Sequence, residues 1–234
     1  MAYSVRIVIK RNICREVSIY YNDMQGVNSK LFYELQGGLG LTDLWNLPEE
    51  NNAADPKEQL KTFYNDDDAA FLISNFLRNN AEEKFLVLCI GTDKYIGDSL
   101  GPMVGTMLEK MNLDCPVYGT LENPIHAVNL RKQLTYLEYS YPRHQIIALD
   151  ACLGSADSIG SIQLRNGCLF PGKGVGKKLP AVGDLSIVGI VDSCDNEEFF
   201  FMHNIRLNLI VKMAEIMSKG IFEALQEKTS SKKY

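Results

Sequence analysis

The stretch covering residues 84–102, KFLVLCIGTDKYIGDSLGP, decides the fold of this chain. Residues 85–90 form an apolar run that is too short for a buried helix and predicts a strand covered on both faces, ended by Gly91. Asp98 and Ser99 are residue types that commonly begin helices. Apolar residues then recur at helical spacing: Leu100, Met103, Val104, Met107, Leu108 and Met111. Asp98 is therefore predicted to lie where a strand, a loop and a helix meet.

Strands and helices alternate along the chain on both sides of this stretch. Short apolar runs predict strands at residues 117–120, 145–150, 160–165 and 185–191, and helical patterns begin at residues 66–68 and span 127–139 and about 200–225. Parallel strands need long crossover connections, so this alternation predicts a mostly parallel, doubly wound sheet. The predicted class is α/β, a three-layer α/β/α domain of the phosphorylase/hydrolase-like type, over residues 61–226.

The two ends of the chain are predicted to lie outside this domain. Alternating residues between 3 and 21 predict a hairpin that turns near Arg11 and Asn12, followed by a Gly-, Pro- and Asn-containing linker at 37–59. Residues 1–60 are therefore predicted to form a β-rich N-terminal extension. Residues 227–234 are polar and rich in lysine, and they predict a flexible tail.

Composition limits the classes of function. The 234 residues are 46% hydrophobic and 23% charged, with a net charge of -5, which is unfavourable for a broad nucleic-acid-binding surface. The six cysteines show no CxxC spacing and predict reduced structural thiols. No apolar run approaches the length of a membrane span, and basic residues interrupt the N-terminus, so we expect a cytoplasmic protein that binds neither membranes nor nucleic acid directly.

Two aspartates are the candidate catalytic residues. Asp98 follows the first strand of the domain, and Asp150 ends the apolar run IIALD. If the strands at 85–90 and 145–150 are neighbours, both carboxylates lie in one crevice at the carboxyl edge of the sheet. Close carboxylates share a proton, so one could activate water while the other polarises a carbonyl group. The alternatives are that Asp98 only caps a helix and that Asp150 only precedes a turn.

Weaker signals surround this pair. His126 follows the predicted strand at 117–120 and is the histidine closest to the same edge. Lys173 and Lys177 lie in PGKGVGKK, a basic glycine-rich run that could contact a substrate or close over it. We predict these three residues to bind substrate. No HExxH or phosphate-loop motif is present, and we predict no cofactor; a metal, if bound, would use Asp98, Asp150 and His126.

Five blocks of sequence carry a family resemblance. CIGTDKYIGDSLGP, YGTLENPIHAVNL, IIALDACLG, PGKGVGKKLPAVGD and NIRLNLIVKMAE closely resemble the YyaC family of sporulation proteins, over roughly residues 62–225. That family in turn resembles the germination protease of spore-forming bacteria. Asp98 and Asp150 match the two aspartates of that protease, and PGKGVGKK is similar to its PGSGVGNK loop. A more distant similarity is to hydrogenase-maturation endopeptidases, whose nickel-binding acids correspond to Asp98 and Asp150.

The resemblance implies a sporulation-associated endopeptidase of the forespore or spore core, with an atypical aspartic site and small acid-soluble spore proteins as its substrates. Two alternatives stay open: a non-catalytic binding or assembly protein of the developing spore, and a metal-dependent hydrolase that uses Asp98 and Asp150. The partner is predicted to be a protein or peptide, and self-association into a homo-oligomer is also left open.

Overall fold

Six strands and four helices form the part of the chain that the computed structural model describes, residues 59–172, 179–193 and 205–230. In chain order they are β1 (Gln59–Phe63), α1 (Ala69–Asn80), β2 (Phe85–Cys89), α2 (Leu100–Lys110), β3 (Val117–Tyr118), α3 (Leu130–Ser140), β4 (Gln145–Gly154), β5 (Ser161–Arg165), β6 (Leu185–Ser193) and α4 (Leu207–Ser230). Short 3₁₀ turns lie at Gly97–Ser99, directly before α2, and at Ala156–Ser158.

The strands form one mixed sheet in the order β1-β5-β6-β4-β2-β3. Strands β3, β2, β4 and β6 are parallel to one another, and β5 is antiparallel to both β6 and β1. The predicted α/β class and mostly parallel sheet are confirmed. Strand β2 lies between β4 and the outermost β3, which is the order that the predicted crevice requires.

The sheet is covered by helices on both faces because the central strands are apolar on both sides. One core contains side chains of α1, α2 and α4 packed on Val87, Cys89, Ile147 and Leu149. The other core contains side chains of α3 packed on Leu86, Leu88, Ile146 and Ala148. Consecutive residues of β2 and β4 thus point into opposite cores, as a pleated strand requires. The result is the predicted three-layer arrangement.

Several element boundaries differ from the prediction. Strand β1 was not predicted at all, because its five residues, QLKTF, mix polar and apolar residues at the end of a predicted linker. Strand β4 continues four residues beyond Asp150, since β6 pairs with it as far as Gly154. Helix α3 begins at Leu130 instead of residue 127, and α4 begins at Leu207 instead of about residue 200.

Helix α4 continues through Ser230, so its last residues lie in the segment predicted as a flexible tail. The predicted hairpin, and the predicted linker up to residue 58, lie outside the described residues. Among the helices that the structure does describe, none combines the length and the hydropathy of a membrane-spanning segment.

Candidate active site

The direction of the chain connections reverses between β2 and β4. From β2 the chain passes through α2 to β3, and it then returns through α3, on the opposite face, to β4. The connections therefore diverge at the carboxyl ends of β2 and β4, which is where open α/β sheets bind their ligands. Asp98 follows β2 and Asp150 lies in β4, so both predicted acids belong to this crevice.

Two glycines fix the position of Asp98. Gly91 has a φ of +141°, and a Cβ atom there would lie 2.0 Å from the carbonyl oxygen of Asp98. The backbone N–H of Thr92 donates a hydrogen bond of 3.0 Å to that same oxygen. A Cβ atom at Gly101 would lie 2.1 Å from the carbonyl oxygen of Ile90, so α2 begins in direct contact with the end of β2. Because a Cβ atom would collide with a carbonyl oxygen at both positions, only glycine fits there.

Asp98 lies in the 3₁₀ turn before α2, and Ser99 is the residue that precedes the helix itself. The Ser99 side chain does not cap α2; its hydroxyl donates a hydrogen bond of 2.6 Å to the carbonyl oxygen of Ile96. Asp98 was predicted at the start of the helix, and α2 begins two residues after it, at Leu100. Its partly exposed side chain is left available to the crevice.

Asp150 is held inside a regular strand. Cys89 is the register partner of Leu149, and the N–H of Ile90 donates a hydrogen bond of 2.8 Å to the Leu149 carbonyl oxygen. On its other side, Asp150 pairs with Val188 of β6. The interpretation that Asp150 only precedes a turn is therefore wrong, because the strand continues on both sides of it. The backbone of Asp150 therefore lies about one strand spacing, ~4.8 Å, from the chain that leaves β2 at Ile90.

The electrostatics of the two acids differ. Burial is the main cause that raises the pKa of Asp150 from 3.8 to about 8, and the charge of Asp98 is the second cause. The backbone N–H of Ala151 opposes this increase because it donates a hydrogen bond of 2.9 Å to Oδ1 of Asp150. Burial also raises the pKa of Asp98, but the Thr92 N–H and the nearby His126 oppose that increase. At neutral pH Asp150 therefore carries the proton of the pair, and Asp98 is the group whose neighbours favour the carboxylate.

His126 is brought to the crevice by the loop that follows β3. Ile125 forms a parallel bridge with Ile90, and its carbonyl oxygen accepts a hydrogen bond of 2.8 Å from the Gly91 N–H. His126 comes directly after Ile125 and is close enough to lower the pKa of Asp98. The structure thus places the best predicted histidine beside the first acid, although it lies four residues before α3 and not at its start.

Hydrogen bonds define the orientation of the His126 imidazole. Its Nδ1 accepts a hydrogen bond of 3.3 Å from the backbone N–H of Val128, so neutral His126 carries its proton on Nε2. The backbone N–H of His126 donates to Oδ1 of Asn129 at 2.8 Å, which holds the turn before α3. The imidazole therefore offers a donor, Nε2–H. In the described ranges, no three His, Cys, Asp or Glu side chains are grouped closely enough to hold a metal ion.

Sequence reasoning missed the residues that support the three side chains. Thr92 and Asn129 contribute through local hydrogen bonds, and Val128 contributes only its backbone N–H. Asn129 could have been found as a helix-start residue immediately before an apolar periodic run. The predicted substrate-binding residues Lys173 and Lys177 lie outside the described residues.

Comparison with known proteins places the site in a family. A family described as "Protein of unknown function (DUF1256)" matches residues 61–220. The chain belongs to this DUF1256 family. It is also similar to the "Uncharacterized protein YyaC" of Bacillus subtilis (strain 168), with 43% identity over 172 residues, which is 70% of this chain and 84% of that protein. The resemblance to YyaC is thereby confirmed, while the relationship to the germination protease stays a prediction.

The residues that match the DUF1256 family nearly coincide with the described domain. The match begins at residue 61, within β1, and ends at residue 220, within α4. Asp98, His126 and Asp150 all lie inside it, as do the glycines that position Asp98. Each residue of the crevice that is described above thus belongs to the DUF1256 region of the chain.

Proposed function

We propose that this DUF1256 protein is an endopeptidase that hydrolyses peptide bonds with Asp98 and Asp150. The observation that carries the proposal is the placement of Asp98 and Asp150 at the point where the sheet connections diverge, close enough that the charge of Asp98 helps to raise the pKa of Asp150 to about 8. A carboxylate and a carboxylic acid at one site are the two groups that direct attack of water on an amide needs.

The reaction follows from the protonation states. The Asp98 carboxylate removes a proton from a water molecule as its oxygen attacks the peptide carbonyl carbon, and Asp150 donates its proton to the carbonyl oxygen. In the second step that oxygen returns its proton to Asp150, the C–N bond breaks, and the leaving nitrogen takes the proton held by Asp98. One water is consumed, and both acids recover their starting states.

His126 has a supporting place in this scheme. Its Nε2–H is a hydrogen-bond donor, and His126 is close enough to Asp98 to lower the pKa of that acid, so it can orient the carboxylate or bind a carbonyl oxygen of the substrate. Its Nδ1 is occupied by the Val128 N–H, so in this orientation the imidazole acts as a donor. This favours hydrolysis by the carboxyl pair over the metal-dependent alternative.

Exposed apolar side chains flank the crevice and support a protein substrate. Tyr95 and Ile96, which come directly before the 3₁₀ turn of Asp98, are 59% and 48% exposed, and Val128, beside His126, is 85% exposed. Apolar groups around polar catalytic residues are typical of a surface that binds a peptide segment. The resemblance to the germination protease extends the proposal to small acid-soluble spore proteins and to a role in the forespore.

The test is incubation of the purified protein with a small acid-soluble spore protein, followed by mass spectrometry of the products. We expect defined fragments from the wild-type protein, none from Asp150→Asn, and unchanged cleavage by Asp93→Asn, which alters an exposed acid in the same loop as Asp98. Cleavage should persist in the presence of a chelator. Loss with the chelator would favour the metal-dependent alternative, and an intact substrate with every form would favour the binding protein.

A further inference from the structure

A cavity of about 290 Å³ lies at the carboxyl end of β6, outside the crevice of Asp98 and Asp150. Its walls come from four parts of the described fold: the end of β1, the 3₁₀ turn after β4, the end of β6 and the start of α4. The apolar lining residues are Tyr64, Ile159, Val191, Ile205 and Leu209. We refer to this cavity as the Val191 pocket.

The pocket is built by ordered contacts. The backbone N–H of Tyr64 donates a hydrogen bond of 3.0 Å to the carbonyl oxygen of Gly160, whose own N–H donates at 2.8 Å to Ile190. Gly160 has a φ of +85°, and a Cβ atom there would lie 3.0 Å from the Tyr64 ring. These bonds join the turn after β4 to β1 and β6, so the walls are held by the sheet.

The Val191 pocket adjoins the turn that carries Asp98. A Cβ atom at Gly97 would lie 2.6 Å from Cδ1 of Ile205 and 3.4 Å from Cγ2 of Val191. Gly97 is the residue directly before Asp98. Two walls of the pocket therefore pack against the backbone of the residue that precedes Asp98.

The lining specifies the kind of group that fits. Its apolar residues are half-buried or, for Val191, buried, whereas Arg206 and Asn208 are exposed and border the opening, together with the partly exposed Asp192. A volume of about 290 Å³ is below the usual size of a pocket for a whole small-molecule ligand but sufficient for one large side chain. Polar groups around the opening suit the peptide backbone that such a side chain projects from.

We propose that the Val191 pocket receives one large apolar side chain of the peptide substrate, close to the bond that is cleaved. The assignment rests on the proposed peptidase function and names the substrate class of that site. It makes the protein selective for bonds beside residues such as leucine, methionine or phenylalanine, because burying such a side chain contributes far more than burying that of alanine. The pocket that packs against Gly97 thus selects the substrate, while the neighbouring Asp98 takes part in the hydrolysis.

A binding measurement tests the pocket without requiring catalysis. The full chain with ¹³C-labelled methyl groups is titrated with N-acetyl-leucinamide and, as the matched control, with N-acetyl-glycinamide. We expect the leucine compound to shift the methyl resonances of Ile159, Val191, Ile205 and Leu209, and the glycine compound to leave them unchanged. Equal effects of both compounds, or shifts confined to other methyl groups, would overturn the assignment.

Two neighbouring variants test selectivity. Asn208→Trp places an indole at the opening of the pocket, while Leu207→Trp places one on the adjacent exposed residue of α4, which does not line it. A mixture of synthetic peptides is digested, and the residues flanking each cut are identified by mass spectrometry. We expect Asn208→Trp to lower kcat/KM for bonds beside large apolar residues by roughly tenfold, with much smaller losses beside alanine. Leu207→Trp should match the wild type.

The two measurements separate failure of the pocket from failure of the peptidase. Cleavage without preference for apolar residues, together with unshifted pocket methyl groups, would overturn the pocket and leave hydrolysis standing. Methyl shifts caused by the leucine compound, with no peptide cut, would support the apolar pocket and overturn the proposed hydrolysis.

Discussion

Asp150→Asn should change how the stability of this protein depends on pH. The folded state raises the pKa of Asp150 from 3.8 to about 8, so between these values the folded chain holds a proton that the unfolded chain has lost. The folded state therefore binds more protons, and the free energy of unfolding falls as pH rises. The stabilising contribution of the proton on Asp150 is complete below pH 3.8, and it is lost once the pH has risen through about 8.

The magnitude follows from the size of the shift. Each pH unit within this window lowers the free energy of unfolding by ~1.4 kcal/mol, or about 2.7 kcal/mol between pH 5 and pH 7. Asp150 is partly exposed, and solvent screening that lowers its folded-state pKa reduces this to roughly 1–2.5 kcal/mol. An asparagine at the same position does not titrate. Between pH 5 and pH 7, the free energy of unfolding of Asp150→Asn should therefore rise by that amount relative to the wild type.

The assay is urea unfolding followed by circular dichroism at pH 5, 6 and 7. Asp93→Asn is the matched control because Asp93 is exposed and belongs to the loop before Asp98. The control should follow the wild type at each pH, while the stability difference between Asp150→Asn and the wild type should grow with pH. Parallel curves for all three proteins would refute the reasoning, because they would mean that Asp150 ionises at its ordinary pKa in the folded state.

Three further predictions concern the surroundings of the pair. Asp98→Asn should lower the pKa of Asp150, since the charge of Asp98 is the second cause of its increase; carboxyl ¹³C NMR titration measures this, and an unchanged titration would mean that the two acids do not interact. His126→Gln should raise the pKa of Asp98, because His126 lowers that pKa in the wild type. The acid limb of the pH–rate profile should then move to higher pH, and an unchanged limb would mean that His126 does not act on Asp98. Gly91→Ala should cost roughly 2–4 kcal/mol in urea unfolding, because a methyl group at a φ of +141° meets the Asp98 carbonyl oxygen at 2.0 Å; near-wild-type stability would contradict the close approach.

The position of Asp98 could be predicted because several local signals agree there. An apolar run, a glycine, a helix-start residue and a helical apolar pattern follow one another within residues 85–111, and each has one common structural meaning. The meeting of Asp98 with Asp150 followed from topology, since parallel strands carry their connections to the same edge. Both inferences required only short-range patterns and a common strand order.

Other features depend on contacts between distant segments and could not be predicted in the same way. Strand β1 is stabilised by its antiparallel pairing with β5, about a hundred residues later in the chain, and not by its own five residues. Strand β4 passes through Asp150 because β6 supplies its hydrogen bonds. The proton on Asp150 and the orientation of His126 depend on burial and on single backbone N–H groups, which sequence patterns do not encode.

The central claim is that Asp98 and Asp150 act as one unit in hydrolysis. The most direct test measures single-turnover cleavage rates for the wild type, Asp98→Asn, Asp150→Asn and the double variant on the same protein substrate. Because residues that act together give non-additive losses, we predict that each single variant and the double variant lose about the same amount, on the order of a thousandfold or more. Additive losses, or full activity in either single variant, would contradict the account.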